Sequence, residues 1–233
     1  MMAADGRVVM ISGASRGIGA AVARRLARDG YRLSLGVRDT RLLPVGGAET
    51  CLVTRYEAGE REAGKAWVAA TLDRFGRIDA LVNNAGILRT VPLEEEDEAG
   101  LDEMWAINVK APLRVIRAAL PHLKQSGRGR VVNVSSLAGK RVYNAGNGYA
   151  MSKFALMALT HSVRRLGWEH GIRATALCPG LVNTDMAAGF SKLDPAGMIQ
   201  PEDLAEMVAY LIALPNNAAI AEVLVNMRHE DML

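Results

Sequence analysis

The sequence predicts an α/β fold: a doubly wound, mostly parallel sheet of seven strands with helices on both faces. Three observations predict it. Short β-rich runs alternate with longer runs of helical spacing, the pattern of repeated β–α–β units. Several short runs, VVMIS (8–12), ALVN (80–83) and RVVNV (130–134) among them, are nearly continuous apolar stretches, as strands covered on both faces are. The first strand leads through a glycine-rich turn straight into a helix.

Taken in order, the strands are Arg7–Ser12, Arg32–Val37, Thr50–Thr54, Ala80–Asn83, Arg130–Val134, Arg173–Cys178 and Glu222–Asn226. The helices between them are Gly17–Asp29, Glu60–Phe75, Leu101–Lys124, Ser152–His170 and Pro201–Leu214. The last opens on Pro201-Glu202-Asp203, a proline at the first helical position followed by two acids facing the positive dipole end. One connection is short: between Val37 and Cys51, Pro44 and Gly46-Gly47 leave room for a helical turn, where a crossover of a dozen or more residues is usual. No repeat, low-complexity tract or linker divides residues 1–233, so the expectation is a single domain around one core.

Composition excludes several functions. With net charge +3 and no Lys/Arg block, a nucleic-acid partner is not expected. No stretch approaches the ~18 apolar residues of a membrane span, and the N-terminus lacks a signal-peptide core. Cys51 and Cys178 fall in predicted buried strands and read as reduced core thiols; the four histidines show no ligand spacing, so no metal is expected. A cytoplasmic protein follows.

The turn is Gly13-Ala14-Ser15-Arg16-Gly17-Ile18-Gly19. Glycines permit a tight turn and a close backbone approach to phosphate, and the helix N-terminus presents free N–H groups to an anion. Far along the chain, Tyr149 and Lys153 stand four apart, on one helix face. A nearby ammonium favours the phenolate, so Lys153 is expected to lower the Tyr149 pKa and make the phenol usable in proton transfer near neutral pH. Ser136 lies upstream in VVNVSS.

These motifs occur in a fixed order: GASRGIG, NNAG (83–86), Asn108 in WAINVKAP, Ser136, YxxxK and PGLVNTDM (179–186). In that order the chain resembles the single-domain short-chain dehydrogenase/reductase family, and within it the NADPH-dependent carbonyl and 3-oxoacyl reductases. The resemblance spans about residues 7–226 and implies a Rossmann-type fold and hydride transfer between NADP(H) and a carbonyl or alcohol substrate. It implies a tetrad of Asn108, Ser136, Tyr149 and Lys153. Tyr149 would be the general acid and Ser136 would steady the substrate oxygen. Lys153 would hold the nicotinamide ribose, and Asn108 would position a water leading from Lys153 to solvent. Ser135 is the rival of Ser136. The cofactor would lie along Gly13, Ser15, Arg16, Gly17, Ile18 and Gly19, with Asn84, Ala85 and Gly86 beside the adenosine ribose. Pro179 and Gly180 belong to the same surface, with Val182 and Thr184 at the carboxamide. A lid over the substrate would run from about 186 to 199, and its Phe190, Leu193 and Met198 suggest a greasy substrate.

The second strand ends in Arg38, where NAD readers place an acid. Arg38 and Arg16 together favour NADP; Asp39, one place on, would favour NAD if it faced the ribose instead. Two departures stand out. The family's usual adenine-binding Asp after the third strand is replaced by the run Thr54-Arg55-Tyr56-Glu57, and the Gly-Gly that often follows the last strand is absent. The resemblance implies a homotetramer, with a homodimer as the alternative, and Phe154 and Trp168 as candidate contacts. The competing function is a non-catalytic dinucleotide-binding regulatory or scaffold protein.

Overall fold

In the computed structural model, residues 1–41, 47, 49–142 and 147–229 are described. Seven strands, β1 (Val8–Ser12), β2 (Arg32–Val37), β3 (Cys51–Arg55), β4 (Ala80–Asn83), β5 (Arg130–Val134), β6 (Arg173–Pro179) and β7 (Glu222–Val225), form one sheet. Its order is β3-β2-β1-β4-β5-β6-β7 and every neighbouring pair is parallel. The helices are α1 (Gly17–Arg28), α2 (Ala63–Phe75), α3 (Ala99–Met104), α4 (Ala111–Gln125), α5 (Asn147–Gly167), α6 (Asp185–Ala188) and α7 (Pro201–Ala213).

Two apolar layers sandwich the sheet. On one side Val22 and Leu26 of α1 meet Leu204, Val208 and Ile212 of α7 over β1 and β2. On the other, Trp67 and Val68 of α2, Val115 and Ala119 of α4 and Val163 of α5 pack over β1, β4 and β5. The α1 and α7 edges are also tied outside by Arg25, which donates to Glu206 at 2.7 Å. α7 starts as its sequence dictates, with Pro201 in the first turn and a reciprocal cap between Gln200 and Asp203. At its far end, Arg7 donates to the Ile212 carbonyl at 3.1 Å and Arg130 to that of Leu214 at 2.6 Å, so two buried guanidiniums satisfy carbonyls that the helix leaves open.

Several expected boundaries move. The run Leu101–Lys124 is not one helix: a π-helical turn, Trp105–Lys110, separates α3 from α4. The last helix turn expected near His170 is a 3-10 turn, Trp168–His170, and α5 begins at Asn147, ahead of Tyr149. Of the short β2–β3 connection, Pro44 and Gly46 lie outside the described residues. β3 is an edge strand and half-buried along most of its length, so Cys51 is only partly covered, unlike Cys178. Trp67 covers the neighbouring strand instead: it is fully buried, donates from Nε1 to Ser34 Oγ at 2.9 Å, and lies so close to Gly36 that a Cβ there would stand 3.1 Å from the indole.

Candidate active site

β1 pairs with β2 on one side and β4 on the other, so the chain's direction of winding reverses between β1 and β4. Ligands of such sheets bind outside the carboxyl ends of the strands at that point. A cleft of about 1050 Å³ opens there. It runs from Arg38 and Glu57, beyond β2 and β3, past the glycine turn to Tyr149 and Lys153, and on to Phe190 and Leu193.

The turn is built for close approach. Gly13 and Gly17 have φ of 65° and 53°, the left-handed region that side chains disfavour. A Cβ at Gly19 would lie 2.3 Å from the Gly13 carbonyl oxygen, so this helix turn can press onto the strand end only as glycine. Asn84 braces the arrangement from β4: its Nδ2 donates to the carbonyls of Ser12 and Gly13 at 3.0 and 3.1 Å, and the N–H groups of Asn84 and Ala85 donate to Ser12 Oγ, both at 3.0 Å. The Asn84 side chain, expected beside the ribose, is thus spent on holding the turn; it still lines the cleft together with Ala85 and Gly86. α1 begins at Gly17, after Arg16 as the cap residue, with no side-chain cap and no acid in its first turn. Its N-terminal N–H groups and positive dipole end face the cleft, where a phosphate fits. Gly13, Ser15, Arg16, Gly17 and Ile18 all line it, and Gly19 lies just behind.

At the other end, α5 carries Tyr149, Ser152 and Lys153. Asn108 sits in the π-helical turn, which rotates its side chain inward. Asn108 Oδ1 accepts from the Ile87 N–H at 2.9 Å, and its Nδ2 donates to the Ile87 carbonyl at 2.9 Å and to Ser152 Oγ at 3.0 Å. Ser152 in turn donates to the Tyr149 carbonyl at 2.7 Å. Asn108 therefore touches no cleft surface and works as a buried tie between the β4 loop and α5. Ser136, just past β5, donates to the Pro179 carbonyl at 3.4 Å and caps the next turn by accepting from the Ala138 N–H at 3.1 Å, and it stands near enough to the Tyr149 phenol to draw its pKa down. Its neighbour Ser135 also lines the cleft but is buried, donating to the Lys153 carbonyl at 3.2 Å.

Lys153 is buried, with Nζ donating to the Val134 carbonyl at 3.0 Å and 5.5 Å from the centre of the Tyr149 ring. Here the structure corrects an expectation. Burial pushes the Tyr149 phenol up to about 12, only partly opposed by the nearby Ser136 hydroxyl, and pushes Lys153 down to about 8. Desolvation of both groups outweighs the attraction of lysine for phenolate, so the cofactor-free site holds a neutral phenol.

Pro179, the last residue of β6, and Gly180, Val182 and Thr184 beyond it line the cleft. The segment after them leaves and returns at one place: Asn183 N–H donates to the Ile199 carbonyl at 2.9 Å and Ile199 N–H to that of Leu181 at 3.1 Å. Met186, Phe190 and Leu193 of the loop so pinned line the cleft, whereas Met198, expected beside them, is buried at its base. Arg38 lines the cleft and Asp39 does not; Asp39 is occupied by Arg41, which donates to it at 2.6 Å. Arg16 donates to Asp185 of α6 at 2.8 Å, both largely exposed. Glu57 lines the cleft beyond β3, where the sequence lacks the family's usual Asp. Arg89, Arg141 and Arg228 also reach the cleft; no motif marks them in the sequence. Among the described residues no cluster of His, Cys, Asp and Glu could hold a metal.

Residues 7–194 match the family model described as short chain dehydrogenase. The chain belongs to the short-chain dehydrogenase family. The Ser136, Tyr149 and Lys153 geometry above is set on that family's fold. Among relatives, an agropine synthesis reductase of Rhizobium rhizogenes is 43% identical over 217 residues, 91% of this chain; the chain spans about half of that protein, 50% of its length. Among solved structures, the alcohol dehydrogenase of Thermococcus sibiricus, complexed with 5-hydroxy-NADP, superposes with TM-score 0.85 at 32% identity over 94% of this chain and 95% of that one. A metagenomic short-chain oxidoreductase in complex with NADP gives 0.82 at 34% identity over 96% and 98%.

Proposed function

We propose that the protein reduces a small carbonyl compound with NADPH, and that Tyr149 supplies the proton. The observation that carries this reading is the Ser136–Tyr149–Lys153 constellation at one end of a cleft whose other end is a phosphate-ready helix N-terminus. Bound NADPH would supply the hydride. The chain's own residues do the rest. Ser136 donates toward the substrate oxygen and steadies its growing negative charge. Tyr149, protonated across the physiological range because burial holds it near 12, passes its proton to that oxygen, since an alkoxide is a stronger base than a phenolate. Lys153 holds the ribose hydroxyls, and Asn108 keeps the Ile87 loop against α5. NADP over NAD is supported by Arg38 in the cleft, by Asp39 turned to Arg41, and by the NADP-type ligands of the two structural neighbours. Tyr149→Phe removes the hydroxyl and keeps the ring; turnover should fall about a hundredfold or more with NADPH affinity retained. Near-normal turnover would refute the assignment.

The pinned loop, with residues 186–199, serves as the substrate lid in this proposal. A homo-oligomer is part of it as well. Met151, Phe154, Leu166 and Trp168 lie exposed on and just after α5, and Trp168 is already stacked by Arg173 at 3.7 Å, which leaves Phe154 and Leu166 as the better contacts. Light scattering at micromolar concentration should give a dimer or tetramer mass; a monomer refutes it. Among the described residues no helix is long and apolar enough to cross a membrane. A cytoplasmic location, supported by two free cysteines, is tested by cell fractionation and fails if the protein sediments with membranes or is exported.

A further inference from the structure

We infer that Glu222, at the start of β7, is a positioning residue: through Lys140 on one side and His161 on the other it sets where the Ser136 turn stands relative to the helix of Tyr149 and Lys153. This rests on the reductase reading above and deepens it. Ser136 must present its hydroxyl to the same oxygen that takes the Tyr149 proton, yet the two side chains come from separate pieces of chain. Ser136 leads into a short 3-10 turn, Leu137–Gly139, whereas Tyr149 lies in α5. Ser136 itself is held loosely, donating to the Pro179 carbonyl at 3.4 Å, beyond the usual O–H···O range. The far end of the turn is held firmly. Lys140, the residue after it, reaches β7, with Nζ 2.7 Å from Glu222 Oε2. On the other oxygen, Oε1, His161 Nε2 closes at 2.9 Å. His161 belongs to α5, about three turns beyond Tyr149. One carboxylate thus ties the serine turn to the helix that carries the phenol, with β7 as its base.

That base is rigid. Glu222 stands opposite Ala176 of β6, and three residues on, the Val225 carbonyl accepts from Gly180 N–H at 2.9 Å. The turn is rigid too. Ala138 N–H donates to Ser136 Oγ at 3.1 Å, Gly139 N–H to the Ser136 carbonyl at 2.9 Å and Lys140 N–H to that of Leu137 at 2.9 Å, so residues 136–140 move as one piece. Gly139 rests directly on α5: a Cβ there would stand 3.0 Å from the Lys153 carbonyl oxygen. Around this contact the turn can rock, and a release at Lys140 is felt at Ser136. The ion pair is sheltered enough to resist. Its side chains are 30% and 21% exposed, so water screens it less than the Arg16–Asp185 contact, where the values are 66% and 71%. Hydrogen bonds from Lys140 and then His161 hold the Glu222 carboxyl below its usual range against the cost of burial, which keeps it a carboxylate at neutral pH. Glu222 does not line the cleft, so it acts on the reaction only through what it holds.

The test is a double-variant cycle on the full chain, with NADPH and a carbonyl panel. Glu222→Ala should lower kcat about tenfold, as a misplaced reacting group does, and leave the Kd for NADPH within about twofold of wild type. In a Ser136→Ala background there is no hydroxyl to misplace, and the same substitution should cost less than about twofold. Lys140→Met cuts the tie from its other end and should show the same dependence on Ser136; it serves alone if Glu222→Ala does not fold. Lys140→Arg, which keeps the charge, should retain most of the turnover. An equal loss with and without Ser136 would mean that Glu222 only supports the fold, and would overturn the inference; so would wild-type kcat in Glu222→Ala. Hydrogen exchange reads the tie without turnover. In Glu222→Ala and Lys140→Met the amides of residues 136–141 should exchange at least about tenfold faster than in wild type, with β1 and α1 unchanged. Should no carbonyl turn over, or Ser136→Ala be silent, exchange decides: an unchanged rate over 136–141 overturns the inference, whereas a wild type that reduces nothing counts against the reductase reading alone.

Discussion

Lys153 makes cofactor binding depend on pH in a way the structure sets. Its ammonium is buried against the Val134 carbonyl, and desolvation brings it from an ordinary 10.5 to about 8. The folded value lies below the unfolded one, so the charge is a cost to folding. That cost is present in full below pH 8 and relieved as pH rises from 8 toward 10.5, on the order of 3 kcal/mol in all. Binding of NADPH works in the opposite sense. Ribose hydroxyls and phosphates favour the charged lysine, so the bound form keeps its proton to higher pH. Between pH 7 and 9 the empty protein goes from about one-tenth to about nine-tenths deprotonated, and the apparent Kd for NADPH should rise about tenfold. Near pH 9, binding should take up close to one proton. Fluorescence titration of NADPH across this range reads the Kd, and Lys153→Met should bind more weakly with a flat profile. A flat wild-type profile, or the same slope in Lys153→Met, would refute the argument. The 2′-phosphate has finished titrating below this window, with its second pKa near ~6 as for phosphate esters generally.

Two further outcomes follow from the cleft. Arg38→Ala should reduce kcat/KM with NADPH at least tenfold more than with NADH, since a bidentate guanidinium–phosphate contact is lost only for NADPH; equal losses would show that Arg38 does not read the 2′-phosphate. Gly19→Ala would place a Cβ 2.3 Å from a backbone oxygen, so the turn must shift; NADPH affinity should fall at least tenfold and stability by about 1–3 kcal/mol, measured by titration and urea unfolding. Unchanged values in both would mean that the turn yields without consequence.

The sheet was legible because its central strands are apolar runs bounded by Gly, Pro and Asn, and their boundaries move by a residue or so. The π-helical turn was not. One extra residue per turn at Asn108 displaces the helical pattern too little to be seen within Leu101–Lys124, yet it is what turns Asn108 toward Ser152. The sense of the Tyr149 shift was also hidden. Spacing brings Tyr149 and Lys153 to one face, but depth of burial, which sequence does not display, decides which influence wins. Arg141 and Arg228 escaped for another reason. They reach one cleft because β5 and β7 flank β6 in the sheet, 87 positions apart in a chain whose local pattern marks neither.

The buried ties described above join into one run. From the glycine turn it passes through Asn84 to the β4 loop, and from Ile87 through Asn108 and Ser152 to the backbone of Tyr149. The interval between the place for a phosphate and the phenol is therefore a dimension of the empty protein. A dinucleotide spanning it meets a gauge already cut to length, so its binding free energy is not consumed in ordering the site, and a displacement anywhere along the run is felt at the reacting atoms, where an error of about 1 Å is worth about a hundredfold in rate.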